Sequence, residues 1–142
     1  MRAQRHRSRG SVLMLMPAAV LIVLLLGAIA VDSAIVYLGQ RQAYNVAFDA
    51  ANDAAGAGFD AGVARETGEI VYAPDRVEAI AAEAVAASSI RDLRLVSTSI
   101  DGDEVAVTVE IEIDHLFVQA SGRDADEPIR ITARAGGQTQ GP

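Results

Sequence analysis

Residues 12–31 read VLMLMPAAVLIVLLLGAIAV, a run of 20 residues without a charge. A helix of that length rises roughly 30 Å, about the thickness of a bilayer's hydrocarbon core. The run decides the class of protein: a chain that carries it is built around a membrane span. Arg2, Arg5, Arg7 and Arg9 precede it with no acid among them, and Asp32 follows it directly. The positive-inside rule then places the N-terminus in the cytoplasm. Arg9 and Asp32 mark the two membrane boundaries, and Asp32 is expected among the lipid headgroups. Pro17 is expected to kink or start the helix without breaking it, because a missing N–H costs least in the first turns. A cleaved secretory signal is the competing reading, since Ala28-Ile29-Ala30 has the small–x–small pattern of a cleavage site. The run exceeds the about 7–15 apolar residues of a signal core, and the helical pattern continues beyond it. A retained anchor is therefore expected.

About 110 of the 142 residues follow the span, enough for one modest domain. There is no Cys, so neither a disulfide framework nor a thiolate metal site is available. All 12 basic residues are Arg, and all 19 acids lie after the span. The Arg-only usage, with abundant Ala, Val and Asp, is associated with GC-rich bacterial genomes. The acidic surplus argues against nucleic-acid binding by the folded part, which would repel phosphate.

From Ser33 to about Ala57 the sequence stays helical in character. Ala43, Val46, Ala47, Ala50, Ala51 and Ala54 fall at i, i+3, i+4, i+7, i+8 and i+11, an apolar stripe. Arg41, Asn45, Asp49, Asn52 and Asp53 fill the other side. The stripe buries little area but permits close approach, so it serves either the domain's own core or a neighbouring subunit. Gly56, Gly58 and Gly62 are expected to end the helix. A second helix is announced by Pro74, then Asp75 with Glu78 three residues on, an acidic variant of the capping box. Val77, Ile80, Ala81, Ala84 and Val85 mark its apolar face, Glu78 and Glu83 its wet one, and it should end near Ser88 or Ser89.

The remainder reads as strands. Residues 93–100 are β-rich, and Asp101-Gly102 is a turn signal. Val105, Val107, Val109, Ile111 and Ile113 alternate with Ala106, Thr108, Glu110, Glu112 and Asp114, giving one dry and one acidic face. Residues 119–128 read as a loop. Ile129, Ile131, Ala133 and Ala135 alternate with Arg130, Thr132 and Arg134, a last strand. These two strands should pair antiparallel with their Val and Ile faces on the helices. Charge then selects the register: Glu110 opposite Arg134, Glu112 opposite Thr132, Asp114 opposite Arg130. The expected fold is α+β: a long N-terminal helix leaving the membrane, a second helix and a small antiparallel sheet. Its parts are a basic cytoplasmic arm (1–11), the span (12–31), an exported domain (32–135) and a frayed tail (136–142).

No catalytic, cofactor or metal site is expected. His6 lies in the basic arm, and His115 has no Cys or second His near it in sequence. Asp101-Gly102-Asp103-Glu104 concentrates carboxylates but lacks the spacing of a calcium loop, so a solvated hairpin tip is expected. Glu110 and Glu112 read as the wet face of a sheet. Glycine-rich phosphate loops, nucleophile elbows and zinc spacings are not found in the sequence. The chain is read as no enzyme, with no small-molecule substrate.

Arg9-Gly10-Ser11-Val12-Leu13, a span ending Ala30-Val31-Asp32, then Tyr37, Arg41 and residues 47–55 (AFDAANDAA) resemble the N-terminus of TadE/TadG-like proteins of tight-adherence (Flp) pilus assembly. The match covers about residues 9–58. The resemblance implies a pilin-like or assembly component in the bacterial inner membrane. Its partners would be the lipid bilayer, other pilus or secretion subunits, or further copies met through the Ala-rich helix. Processed members carry a Glu about five residues after the cleavage-site Gly. Leu15 holds that place after Gly10, so the resemblance implies the unprocessed, TadG-like kind. The alternative function is a membrane-anchored or secreted extracytoplasmic binding module.

Overall fold

A helix begins at Arg9 and does not stop until Ala57 (α1). At about 1.5 Å per residue it is roughly 70 Å long. Pro17 lies inside it rather than at its start, and the helix continues through. This computed structural model describes residues 9–113, 117 and 128–136. The basic arm up to residue 8, Asp114, His115, the loop 119–127 and the tail from 137 onward lie outside the described residues.

The two halves of α1 differ in what covers them. From Leu15 to Val31 the apolar side chains are exposed all round; Leu21 is 59% and Leu24 65% accessible. Soluble monomers rarely expose apolar patches larger than a few hundred Å², and a helix bare on every side exceeds that. It is long and apolar enough to cross a membrane. Beyond the span one side of α1 closes: Ala43, Ala47, Ala50, Ala51 and Ala54 are fully buried, with Val46 half-buried beside them. Of the two uses open to the stripe, the structure places it in the domain's own core.

Gly58 ends α1. Its N–H donates to the Ala54 carbonyl at 2.8 Å, and its own carbonyl accepts from Ala73 N at 3.0 Å. A Cβ at Gly58 would lie 2.6 Å from Val77 Cγ2 and 2.4 Å from the Ala54 oxygen, so only glycine fits. A short helix that the glycine pattern did not announce follows, α2 (Ala61–Thr67). Asp60 caps it by accepting from Gly62 N and Val63 N, and Gly68, with φ of 77°, closes its C-terminus.

The next helix, α3 (Pro74–Ala86), stops two residues short of Ser88. Its N-cap is Ala73, with no side-chain capping bond, and Pro74 occupies the first turn. The expected capping box is therefore corrected. Asp75 sits inside the first turn, where it complements the helix dipole rather than the cap amides. The apolar face is as read: Val77, Ala81 and Val85 are buried, with Ile80 and Ala84 packed beside them.

Strands β1 (Leu93–Asp101), β2 (Glu104–Ile111) and β3 (Ile129–Gly136) form an antiparallel sheet in the order β1-β2-β3. Gly102, at φ of 63°, makes the tight β1–β2 turn. The Tyr72 hydroxyl donates to the Asp103 carbonyl at 3.2 Å and ties that turn to the α2–α3 connection. Val105, Val107, Val109 and Ile111 are buried beneath α1, which crosses β2 and β3, while α3 covers β1. Alanines on the helices thus meet branched side chains on the sheet.

β2 and β3 are adjacent and antiparallel, with Arg130 and Arg134 on the wet face as expected, but the register is not the expected one. Glu110 opposes Arg130, Thr108 opposes Thr132, and Ala106 opposes Arg134. The observed alignment pairs all of Glu104–Ile111 with Ile129–Gly136. The charge-matched register would have left only residues 108–111 paired within those limits, because β2 ends at Ile111. A full ladder outweighs one extra surface charge pair, worth roughly 0.2–1 kcal/mol. One ion pair survives between these strands, Arg130 Nε to Glu110 Oε2 at 2.9 Å, with Thr108 and Thr132 hydroxyls 2.9 Å apart beside it. Gly136, placed in the tail by the sequence reading, pairs with Glu104 and belongs to β3.

Candidate assembly surface

The face of α1 turned away from the core carries Tyr37, Arg41, Tyr44 and Phe48, at i, i+4, i+7 and i+11. That spacing keeps them within one narrow strip of the helix. Tyr37 (63% accessible), Tyr44 (47%) and Phe48 (40%) are all exposed. The Tyr44 and Phe48 rings stack, with centroids 6.2 Å apart and planes 13° apart. An offset stack of this kind pre-orders both rings and lowers the entropy a partner must remove.

The strip borders β3, an edge strand whose outer side has no strand partner among the described residues. Between them runs an open groove of about 480 Å³ lined by Tyr37, Gln40, Arg41, Tyr44, Ile129, Arg130 and Ile131. Aromatic rings, two isoleucines and two guanidinium groups thus meet at an open sheet edge. Such a surface is equipped to bind protein, because edge strands offer backbone donors and acceptors and aromatic residues and Arg supply anchors. On the opposite flank of α1, Gln42, Asn45 and Val46 form a larger, more polar recess of about 670 Å³ with the α3–β1 connection.

The sequence-predicted residues divide between core and boundary. Five of the six stripe residues are buried in the domain's own core and Val46 is half-buried. Arg9 opens α1. Asp32, expected among headgroups, is only 6% accessible. Both its carboxylate oxygens accept from the backbone N–H of Phe117, at 3.2 and 3.1 Å. Ser33 folds its hydroxyl back onto the Ile29 carbonyl at 2.8 Å, satisfying it within the helix at the membrane edge. The aromatic strip escaped the sequence reading, although its spacing was there to be read. Among the described residues no group of three His, Cys, Asp or Glu side chains is placed to hold a metal ion.

Comparison with models of known protein families, with curated proteins and with solved structures gave no match to this chain.

Proposed function

We propose that this chain is a non-enzymatic, pilin-like assembly component of a Tad (Flp)-type pilus or secretion system. It sits in a bacterial inner membrane with its N-terminus in the cytoplasm and its α+β domain outside. One observation carries the reading: α1 is a single unbroken helix, bare and apolar in its first half and the spine of a domain core in its second. A rigid helix shared between bilayer and core suits a subunit that must keep a fixed attitude to its neighbours. The resemblance of residues 9–58 to TadE/TadG-like proteins supplies the biological setting. The stripe of alanines serves the domain's own core, so partners, whether other subunits or further copies, meet the outer strip of Tyr37, Tyr44 and Phe48 and the β3 edge.

The test is photo-crosslinking in native membranes, with p-benzoylphenylalanine at Tyr44 and, as control, at the exposed Glu83 of α3. Crosslinks from Tyr44 to this chain or to another subunit of the same pilus or secretion machine, with none from Glu83, are expected. Equal crosslinking from both positions, or capture only of a soluble extracellular ligand, would favour the binding-module reading instead.

A further inference from the structure

The one buried acid among the described residues stands at the edge of the span and grips a residue 85 positions away. Asp32 follows the last residue of the uncharged run, and helical side chains lean towards the helix N-terminus. Its carboxylate therefore lies over the outer end of the span itself. The N–H it holds belongs to Phe117, which is 49% accessible. Phe117 is thus placed at the outer end of the apolar run and half-exposed.

A second contact shows how the chain comes to be there. At Gly39 a built Cβ would fall 2.7 Å from Ile113 Cδ1, so Ile113 packs directly on the α1 backbone. Asp32 is seven residues nearer the cytoplasmic end, about 10 Å along the axis. Phe117 lies four residue steps beyond Ile113, and four extended steps reach at most about 14 Å. The two described contacts, Ile113 on Gly39 and Phe117 on Asp32, are thus compatible in reach and step along α1 towards the span. In sequence, Leu116, Phe117 and Val118 are an apolar island in a connection otherwise rich in polar residues.

We propose that Phe117 is a second membrane contact, its ring seated at the outer boundary between headgroups and hydrocarbon beside the span. The partner is the phospholipid bilayer that the anchor reading already requires, and the proposal rests on that reading. Burying a carboxylate beside hydrocarbon is costly unless it is hydrogen-bonded; here the bonds that Asp32 accepts from Phe117 N–H also hold that residue's backbone beside α1. Aromatic rings favour this depth. A helix fixed at one point can swing about its axis, whereas two contacts set how the domain faces its neighbours. Asp32 lies about 150° around α1 from the aromatic strip, so the membrane latch leaves the strip open.

The chain contains no Trp, so one introduced Trp reports alone. Full-length Phe117→Trp, Phe48→Trp and Leu21→Trp are reconstituted in phosphatidylcholine–phosphatidylglycerol vesicles. One vesicle series carries bromine high on the acyl chains, the other near their methyl ends. Phe117→Trp should show blue-shifted emission quenched by the high bromines. Phe48→Trp should stay unquenched, and Leu21→Trp should be quenched by the deep bromines. Adding Asp32→Ala to Phe117→Trp should abolish the quenching. Quenching of Leu21→Trp without quenching of Phe117→Trp overturns the proposal and leaves the anchor standing. If neither is quenched, both fall. Quenching that survives Asp32→Ala overturns the assignment of Asp32 as the latch.

Discussion

Gly56→Ala and Gly58→Ala should move stability in opposite directions, although the two positions are two residues apart. Gly56 is exposed near the end of α1, and a Cβ there meets nothing within 4 Å. Alanine at such a site stabilises by about 0.4–1 kcal/mol, largely by restricting the unfolded chain. At Gly58 a Cβ falls 2.4 Å from the Ala54 oxygen and 2.6 Å from Val77 Cγ2. Neither atom has room to retreat. The oxygen already accepts from Gly58 N at 2.8 Å, and Val77 is fully buried. Forcing a methyl into such a space costs about 1–3 kcal/mol, partly offset by the same unfolded-state gain. The unfolded-state gain is common to both, so the two variants should differ by about 1–3 kcal/mol, and for a domain near 100 residues each kcal/mol shifts Tm by about 4–8 °C. Because a span stays helical in detergent when the domain unfolds, thermal proteolysis of the full chain in mild detergent is the assay. Gly58→Ala melting at or above the wild type, or together with Gly56→Ala, would refute the close packing of α3 on the end of α1.

Ala47→Glu or Ala50→Glu should each destabilise the domain by several kcal/mol, since they bury an unpaired charge; wild-type melting of both in the same assay would remove the stripe from the core. Thr108→Cys with Thr132→Cys should crosslink on mild oxidation, because directly opposed residues lie within disulfide reach. Glu112→Cys with Thr132→Cys, opposed in the charge-matched register, should not crosslink, being offset by about 13 Å; a non-reducing gel reads both. Tyr44→Ser with Phe48→Ser should lower stability by only about 0.5–1.5 kcal/mol, the worth of the lost stack, yet abolish crosslinks from p-benzoylphenylalanine placed at Tyr37.

The parts of the fold legible in the sequence were those with a strong period and a buried face. Val105, Val107, Val109 and Ile111 alternate because the sheet has a dry side, and residues 43–54 repeat at helical spacing because α1 has one too. What escaped was set by weaker or more local forces. The helix α2 has no buried residue to leave a periodic trace, and it rests on the Asp60 cap and on Gly68 in the left-handed region. Register was misread because charge pairing was asked to choose between alignments, when ladder length had the larger say. The aromatic strip was read as part of a family likeness and not as a face. Asp32 was read by its charge alone. Its phase tells more: it precedes Val36, Gly39 and Ala43 by four, seven and eleven residues, on the side that α1 turns to its own domain.

The proposed function requires one chain held in the membrane with its two ends on opposite sides, and cysteine labelling tests that most directly. The chain has no native Cys. Ser8→Cys and Ser99→Cys are probed separately with a maleimide that cannot cross the inner membrane, first with that membrane intact and then after lysis. Ser99→Cys should label with the membrane intact and Ser8→Cys only after lysis, each on a full-length chain that stays with the membrane fraction. The reverse labelling pattern, or a mature chain that begins at Val31 and leaves the membrane fraction, would overturn the proposed topology and anchor.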